Sequence, residues 1–289
     1  MEFAGLVESA SSWVVRVEAR RRLPGSGMVW SAEGLILTAD HVVEHDDQIR
    51  VGLADGRTVA ASLAGRDPTT DIAILRAEAG GLAAASWSEP QAARVGHLVL
   101  ALGRPGRSVR ARLGVLSAAA DHWRAPGGAE VDRYLEVDAG PAPGFSGGPV
   151  LDASGSVLGM HTAGLLRRTS LAVPAPTVRR VAQTLVAHGR IPRGYLGIGA
   201  QPVRLPTPLR QQLGQEMGLL LVSVEPGSPA ERAGLLLGDV ILGFGEGAVR
   251  HHQDLMGLLT AERIGASLPA RILRGGSLRE VGVVVGERS

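Results

Sequence analysis

Residues 141 to 149 read PAPGFSGGP and set one hydroxyl, Ser146, among glycines and prolines. A serine acts as a nucleophile when a tight turn presents it and backbone N–H groups converge on the oxyanion that its attack creates. Glycines at 144, 147 and 148 permit such a turn and leave space for a substrate chain. A structural turn between strands satisfies the same string. Two other stretches supply what a serine hydroxyl needs. LILTADHVV places His41 just after a strand-like run, and DPTTDIAIL places Asp71 at the start of another. An imidazole takes the hydroxyl proton, and a carboxylate fixes its tautomer and stabilises its cation. Asp67 precedes Pro68 and reads as a turn residue, which leaves Asp71 as the acid.

Two rival chemistries use the same residues. Gly144 to Gly148 also fits G-x-S-x-G, the nucleophile elbow of α/β-hydrolases, but that elbow leads into a helix. Here it leads into GPVLDASGSVLGM, which reads as strand, turn and strand. HVVEH, residues 41 to 45, fits H-x-x-E-H, in which His41 and His45 would share a zinc ion with Glu44 as base. Two β-branched valines and the following aspartates limit that stretch to a short helical turn, and no third ligand stands out downstream. The expectation is that no metal and no cofactor is needed. His97, His122, His161 and His188 carry no paired motif and read as structural or exposed.

The elements that position these groups are short. SWVVRVE, GLILTA, IRVGL, DIAIL, LVLALG, LGVLSA, YLEVD and SVLGMHTAG recur between Gly, Pro and Asp, as in an antiparallel sandwich or barrel. The period then changes. In PTVRRVAQTLVAHG, Val178, Val181, Ala182, Leu185 and Val186 fall at helical spacing, with Thr177 as N-cap and Gly189 just past the end. RIPRG follows as a stiff linker, and about 95 further residues mix strands with two short helices. At 289 residues the chain is long enough for two domains.

Composition narrows the partners. All 30 basic residues are arginine against 28 acidic ones, so the net charge is only +2. No clustered basic face with interleaved aromatics appears, and nucleic acid is not an expected partner. The RRR run at 20 to 22 reads as a solvated loop. There is no Cys, and hence no disulfide or thiol chemistry. No apolar run approaches the roughly 18 residues that span a bilayer. The chain as written reads as cytoplasmic, and as extracytoplasmic if residues precede it.

TADHVV, TDIAIL, VDAGPAPGFSGGPV and GSVLGM together resemble the trypsin-fold serine proteases of the HtrA/Deg family. RGYLGIG, VEPGSPAERAGLLLGDVILGFG and ARILRGGSLREVGVVV resemble the PDZ domain joined to them. The resemblance implies a mainly β fold: two antiparallel Greek-key barrels over residues 1–189, a linker at 190–193 and a small α+β PDZ domain at 194–289. It implies His41 as general base, Asp71 as orienting acid and Ser146 as nucleophile, with the N–H groups of Gly144 and Ser146 as oxyanion hole. Tyr195, Leu196, Gly197 and Ile198 would bind a peptide's terminal carboxylate, and the next strand would add the peptide to a sheet edge. Of Leu255, Leu258 and Leu259, some would serve the core and some the groove.

Phe145 stands where the family usually has Asn. Because the hole uses main-chain donors, Phe145 reads as a residue that packs against a neighbour. The activity implied is ATP-independent cleavage of unfolded or misfolded polypeptides in protein quality control and stress response. The alternative is an inactive protease fold that only binds C-terminal tails. Gly140, Pro141, His161, Thr162, Ala163 and Gly164 are expected near the specificity pocket without a carboxylate among them, which predicts cleavage after small or medium aliphatic residues. Residues 121 to 133 read as a long polar loop coupling PDZ occupancy to the oxyanion loop. A homotrimer built through the N-terminal segment is the implied assembly, although Phe3 and Trp13 fit a core equally well.

Overall fold

The computed structural model describes residues 3–21, 23–85, 87, 93–140, 142–166 and 168–287. Arg22 of the arginine run and Pro141 of the expected pocket lie outside them. Contacts divide the chain into two compact units, Met1–Ile191 and Pro192–Ser289.

The first unit opens with helix α1 (Phe3–Ser11), whose Phe3, Leu6 and Val7 pack against a small apolar cluster that includes Val14, Leu100, Leu102 and Leu151. Six strands then close a barrel: β1 (Val14–Glu18), β2 (Gly25–Val29), β3 (Leu35–Thr38), β4 (Ile49–Gly52), β5 (Thr58–Asp67) and β6 (Ile72–Ala77). Their order is β1-β2-β3-β6-β5-β4, with β1 pairing β4 to shut the ring. A second barrel holds β7 (Leu98–Gly103), β8 (Arg110–Arg124), β9 (Glu130–Asp138), β10 (Pro149–Asp152), β11 (Val157–Thr162) and β12 (Leu171–Pro174), ordered β10-β11-β12-β9-β8-β7. All ladders are antiparallel, as expected for this architecture. Aliphatic residues fill the first barrel: Val15, Val17, Met28, Ile36, Leu37, Ile74 and Leu75 are all fully buried.

Two expectations are corrected here. Residues 121 to 133 are mostly a hairpin, since β8 and β9 pair Asp121 with Arg133, Trp123 with Val131 and Arg124 with Glu130. Only the turn between Ala125 and Ala129 is loop. The Trp123 ring stacks edge-on against Tyr134 at 5.2 Å between centroids, a cross-strand aromatic contact that polar neighbours mask in the sequence. Helix α2 (Ala175–His188) begins two residues before Thr177, with Pro174 as N-cap. The Thr177 hydroxyl is instead occupied by Asp132, whose backbone N–H also donates to it at 3.0 Å. The C-terminus falls where expected, with Gly189 in the left-handed region and its N–H on the Leu185 carbonyl. Beyond it, Arg190 forms a bridge with Arg66 and Ile191 packs on the first core.

In the second unit, β13 (Gly194–Tyr195) pairs β20 (Gly286–Glu287). The main sheet runs β14 (Ile198–Arg204), β15 (Met217–Val224), β16 (Val240–Phe244), β18 (Ser267–Arg274) and β19 (Ser277–Val284), with β17 (Gly247–Ala248) on β16. Three short α-helices accompany it rather than the expected two: α3 (Thr207–Leu213), α4 (Pro229–Arg232) and α5 (His252–Leu258). Its core gathers Leu219, Leu221, Ile241, Phe244, Ile272 and Val283.

Candidate active site

His41 lies in a three-residue 3-10 turn, Asp40–Val42, directly after β3. Asp71 caps the approach to β6 in a left-handed conformation, φ 58°, which Asp tolerates better than most residues. That backbone locks the two segments together. The Asp40 N–H donates to the Asp71 carbonyl at 3.1 Å, and the His41 N–H donates to Asp71 Oδ1 at 2.9 Å. Arg66 clamps the turn from the other side, with Nε on Asp40 Oδ1 at 2.6 Å and a further bond to the Val43 carbonyl at 3.0 Å. Burial raises the Asp40 carboxyl pKa, and the Arg66 guanidinium opposes that rise.

The His41 ring meets the carboxylate through Nδ1, 2.8 Å from Asp71 Oδ2 and 3.0 Å from Oδ1. The Thr162 hydroxyl also donates to Oδ2. An acceptor-only carboxylate with these neighbours assigns the proton to Nδ1 and leaves Nε2 with a lone pair, the form a general base needs. Gly164 closes the back of the pair. Its N–H donates to Thr162 Oγ1 at 2.9 Å, and a Cβ there would come within 2.4 Å of His41 Nδ1. Sequence reasoning put Thr162 and Gly164 beside the specificity pocket and missed that they support Asp71 and His41. Asp67 is a turn residue as read, accepting from the Thr69 and Thr70 hydroxyls at 2.6 and 2.7 Å.

Ser146 sits on the loop before β10 and lines one cleft together with His41, Gly144 and His161. No hydrogen bond joins its hydroxyl to the His41 ring among the described residues. Ala142 to Phe145 form a turn closed by the Phe145 N–H on the Ala142 carbonyl at 3.1 Å. Pro143 takes its second position and Gly144, at φ 79°, its third, the pattern of a type II turn. Neither the Gly144 nor the Ser146 N–H donates to a protein acceptor among the described residues.

Ser26 of β2 holds this loop. Its hydroxyl donates to the Gly144 carbonyl at 2.6 Å and accepts the Arg104 N–H at 2.8 Å, while its own N–H donates to the Ser146 carbonyl at 3.0 Å. Phe145 is buried, with its ring over Gly103, where a Cβ would stand 2.9 Å from Phe145 Cγ.

The rival chemistries find no geometry. The chain after Ser146 enters a strand, whereas a nucleophile elbow enters a helix. The 3-10 turn ends at Val42, so His41 and His45 do not share a helix face, and their Nδ1 atoms face Asp71 and the Asp47 carbonyl.

In the second unit, Leu196 is buried and its carbonyl accepts the Ala230 N–H at 2.9 Å, while the Gly197 carbonyl accepts the Glu225 N–H at 2.8 Å. The Leu196 and Gly197 N–H groups meet no protein acceptor among the described residues. Ile198 opens β14, the edge strand of its sheet, and Tyr195 donates its hydroxyl to Glu225. Leu255 and Leu259 are core residues, and Leu258 is half-buried over β17.

A family profile for the trypsin-like peptidase domain matches residues 25–160, and one for the PDZ domain matches residues 194–285. A solved structure of the HtrA-type protease AlgW with tripeptide is 31% identical, covers 100% of this chain and 98% of its own, and superposes with a TM-score of 0.74.

The chain belongs to the HtrA/Deg family.

A serine endoprotease structure from Yersinia pestis in the same fold is 28% identical over 100% of this chain and 99% of its own, with a TM-score of 0.76. Among curated relatives, a probable periplasmic serine endoprotease DegP-like from Chlamydia trachomatis serovar D is 31% identical over 93% of this chain and 55% of its own length. The putative serine protease HhoB of Synechocystis is 32% identical over 89% of this chain and 65% of its own. This HtrA/Deg member thus spans about half the length of the DegP-like relatives it matches.

Proposed function

We propose that this chain is an ATP-independent serine endopeptidase that cuts unfolded or misfolded polypeptides, with a PDZ domain that binds C-terminal tails. The observation that carries this reading is the buried Asp71 carboxylate, which orients the His41 ring in the cleft that holds Ser146 and the unpartnered N–H groups of Gly144 and Ser146. His41 is the general base, Asp71 the orienting acid and Ser146 the nucleophile. As substrate closes the cleft, the Ser146 hydroxyl hydrogen-bonds His41 Nε2, a contact that tightens in such complexes. Nε2 takes the hydroxyl proton while Oγ attacks the peptide carbonyl. The oxyanion receives the Gly144 and Ser146 N–H groups, and the imidazolium, stabilised by Asp71, returns the proton to the leaving amine. Water then repeats the cycle to free the acyl group. The P1 residue, on the acyl side of the cut bond, is small to medium in size.

The domain limits we assign are 1–189, 190–193 and 194–289, and the division of contacts after Ile191 supports a linker there. Tyr195, Leu196, Gly197 and Ile198 form the carboxylate-binding end of the PDZ groove, and β14 is the edge that takes the peptide strand. The relatives named periplasmic support an extracytoplasmic setting, and the family supports a homotrimer, which light scattering tests. No helix among the described residues is long and apolar enough to cross a membrane. An inactive scaffold is not favoured, since the relatives are named endoproteases and the three side-chain identities are intact. Casein degradation by wild type and Ser146→Ala, with and without a hydrophobic C-terminal peptide, tests the reading. Turnover lost in the variant and raised by the peptide is expected. Equal turnover in both proteins rejects Ser146 as nucleophile.

A further inference from the structure

Successive side chains of a strand point to opposite faces. On β11 Thr162 points at Asp71, so His161 beside it points the other way, where it lines the cleft near Ser146. Its backbone is tied to the nucleophile loop: the His161 N–H donates to the Gly148 carbonyl at 2.8 Å and its carbonyl accepts the Gly147 N–H at 2.9 Å. The residue is only 2% exposed. Its Nδ1 is sealed from solvent with no hydrogen-bond partner. Nε2 has no protein partner among the described residues either, and is the ring nitrogen left to face the cleft.

Burial, with the nearby His41 adding to it, pushes the His161 pKa down to about 4, so the ring is neutral at pH 7. A neutral imidazole carries one N–H. On Nδ1 that N–H would be a buried donor without an acceptor, which proteins tolerate less readily than a bare acceptor. The proton therefore belongs on Nε2, where it confronts the cleft. The charged groups along that cleft are Glu44, Glu136, Asp138, Arg20 and Arg168. Three carboxylates against two guanidinium groups make poor surroundings for another anion.

We propose that His161 is a specificity-determining residue whose Nε2–H hydrogen-bonds an uncharged acceptor, a carboxamide or hydroxyl oxygen, on the P1 side chain. This rests on the serine-endopeptidase reading. Its placement follows from the loop: the attacked carbonyl lies between Ser146 and the Gly144 N–H, and the side chain on that residue extends along the wall that His161 and Ala163 form. The expectation of an aliphatic P1 residue weighed size and an absence of carboxylates at the pocket; the structure corrects the second point, since Glu136 and Asp138 line the same cleft as His161. The proposal keeps the size limit and adds a preference for a polar tip.

Matched peptides differing only at P1 (Thr against Val, Asn against Leu, Asn against Asp) test it, with kcat/KM measured at pH 7 for wild type, His161→Phe and His161→Gln. One neutral hydrogen bond corresponds to about a two- to tenfold preference. The Thr:Val and Asn:Leu ratios are expected to fall by about that factor in His161→Phe and to recover in part in His161→Gln, which keeps a donor. Ratios are internal to each preparation, so a partly folded variant does not distort them. Ratios equal in wild type and His161→Phe overturn the proposal and leave the endopeptidase reading standing. Asp cleaved better than Asn overturns the neutral donor. No Ser146-dependent cleavage of any peptide overturns the endopeptidase reading and the proposal with it.

Discussion

The Thr162 hydroxyl donates to Asp71 Oδ2, the oxygen that also lies closest to His41 Nδ1. The carboxylate thus receives three donors: the His41 N–H, the His41 ring and Thr162. A hydrogen bond to a charged group contributes about 1.5–3 kcal/mol. Thr162→Val should therefore lower kcat/KM by roughly tenfold to a hundredfold through a misplaced or rotated Asp71. Thr162→Ser, which keeps the hydroxyl, should restore most of the rate. A Thr162→Ser variant as slow as Thr162→Val would show that packing, and not the hydroxyl, matters.

Gly164 leaves no room behind the same pair. An added Cβ would stand 2.4 Å from His41 Nδ1 and 2.9 Å from Asp71 Oδ2, so one partner must move. A misplacement near 1 Å costs about a hundredfold in rate. Gly164→Ala should cut fluorophosphonate labelling of Ser146 by about that factor. Labelling at the wild-type rate would mean that the ring accommodates the methyl group without leaving its place.

The Ser26 clamp predicts a separate behaviour. Ser26→Ala strands the Gly144 carbonyl and the Arg104 N–H, both held by the Ser26 hydroxyl in a buried place. Each stranded group costs about 1–3 kcal/mol. Urea unfolding should shift by a few kcal/mol, and kcat should fall more than KM rises, because the loop that carries the proposed oxyanion donors loosens. Lost stability with unchanged kcat would rule out a role for the clamp in the hole.

How much of this was legible in the sequence depended on locality. His41, Asp71 and Ser146, the proposed base, acid and nucleophile, each sit in a short run whose residue types point to that chemistry. The clamp does not, because Ser26 and Gly144 lie 118 residues apart and only barrel closure brings them together. β2 reads GSGMV and carries little strand propensity, yet a side chain at Gly25 would strike Val42, so the close approach that hides the strand from pattern reading is what the barrel requires. The hairpin at 121 to 133 was hidden by its exposed polar face. Thr162 was legible as a pocket neighbour but not as a partner of Asp71, since a strand's facing is set by its register.

In the second unit, Arg274 grips Asp239 with two nitrogens at 2.7 and 2.6 Å, and the Leu236 N–H adds a bond at 2.8 Å. Burial alone would raise the Asp239 carboxyl pKa, but these partners overcome it and hold it below its ordinary 3.8. A depressed carboxyl stabilises the fold above its unfolded pKa, and this contribution is lost as pH falls through the folded value. Asp239 is enclosed while Arg274 keeps contact with solvent, so losing the pair costs less than breaking a fully buried one. Asp239→Asn should lower the unfolding transition of the C-terminal unit in calorimetry of the full chain at pH 7, with the gap to wild type closing below about pH 4. A gap that does not narrow at all as pH falls below the ordinary carboxyl range would assign the loss to packing.

At His161 stability is lost in the same direction for a different reason. Its pKa falls from 6.5 to about 4 through burial, with His41 contributing, so the folded protein keeps the ring neutral where the unfolded chain protonates it. Below about pH 6.5 the unfolded state therefore binds a proton that the folded state refuses, and stability declines as pH falls until the folded ring protonates near pH 4. The interval amounts to roughly 3 kcal/mol. His161→Phe removes this contribution while filling a similar volume, so urea midpoints measured between pH 7 and pH 4 should fall less steeply for the variant than for wild type. Parallel slopes would mean that His161 titrates alike in both states and is not the neutral, enclosed donor that the cleft geometry describes.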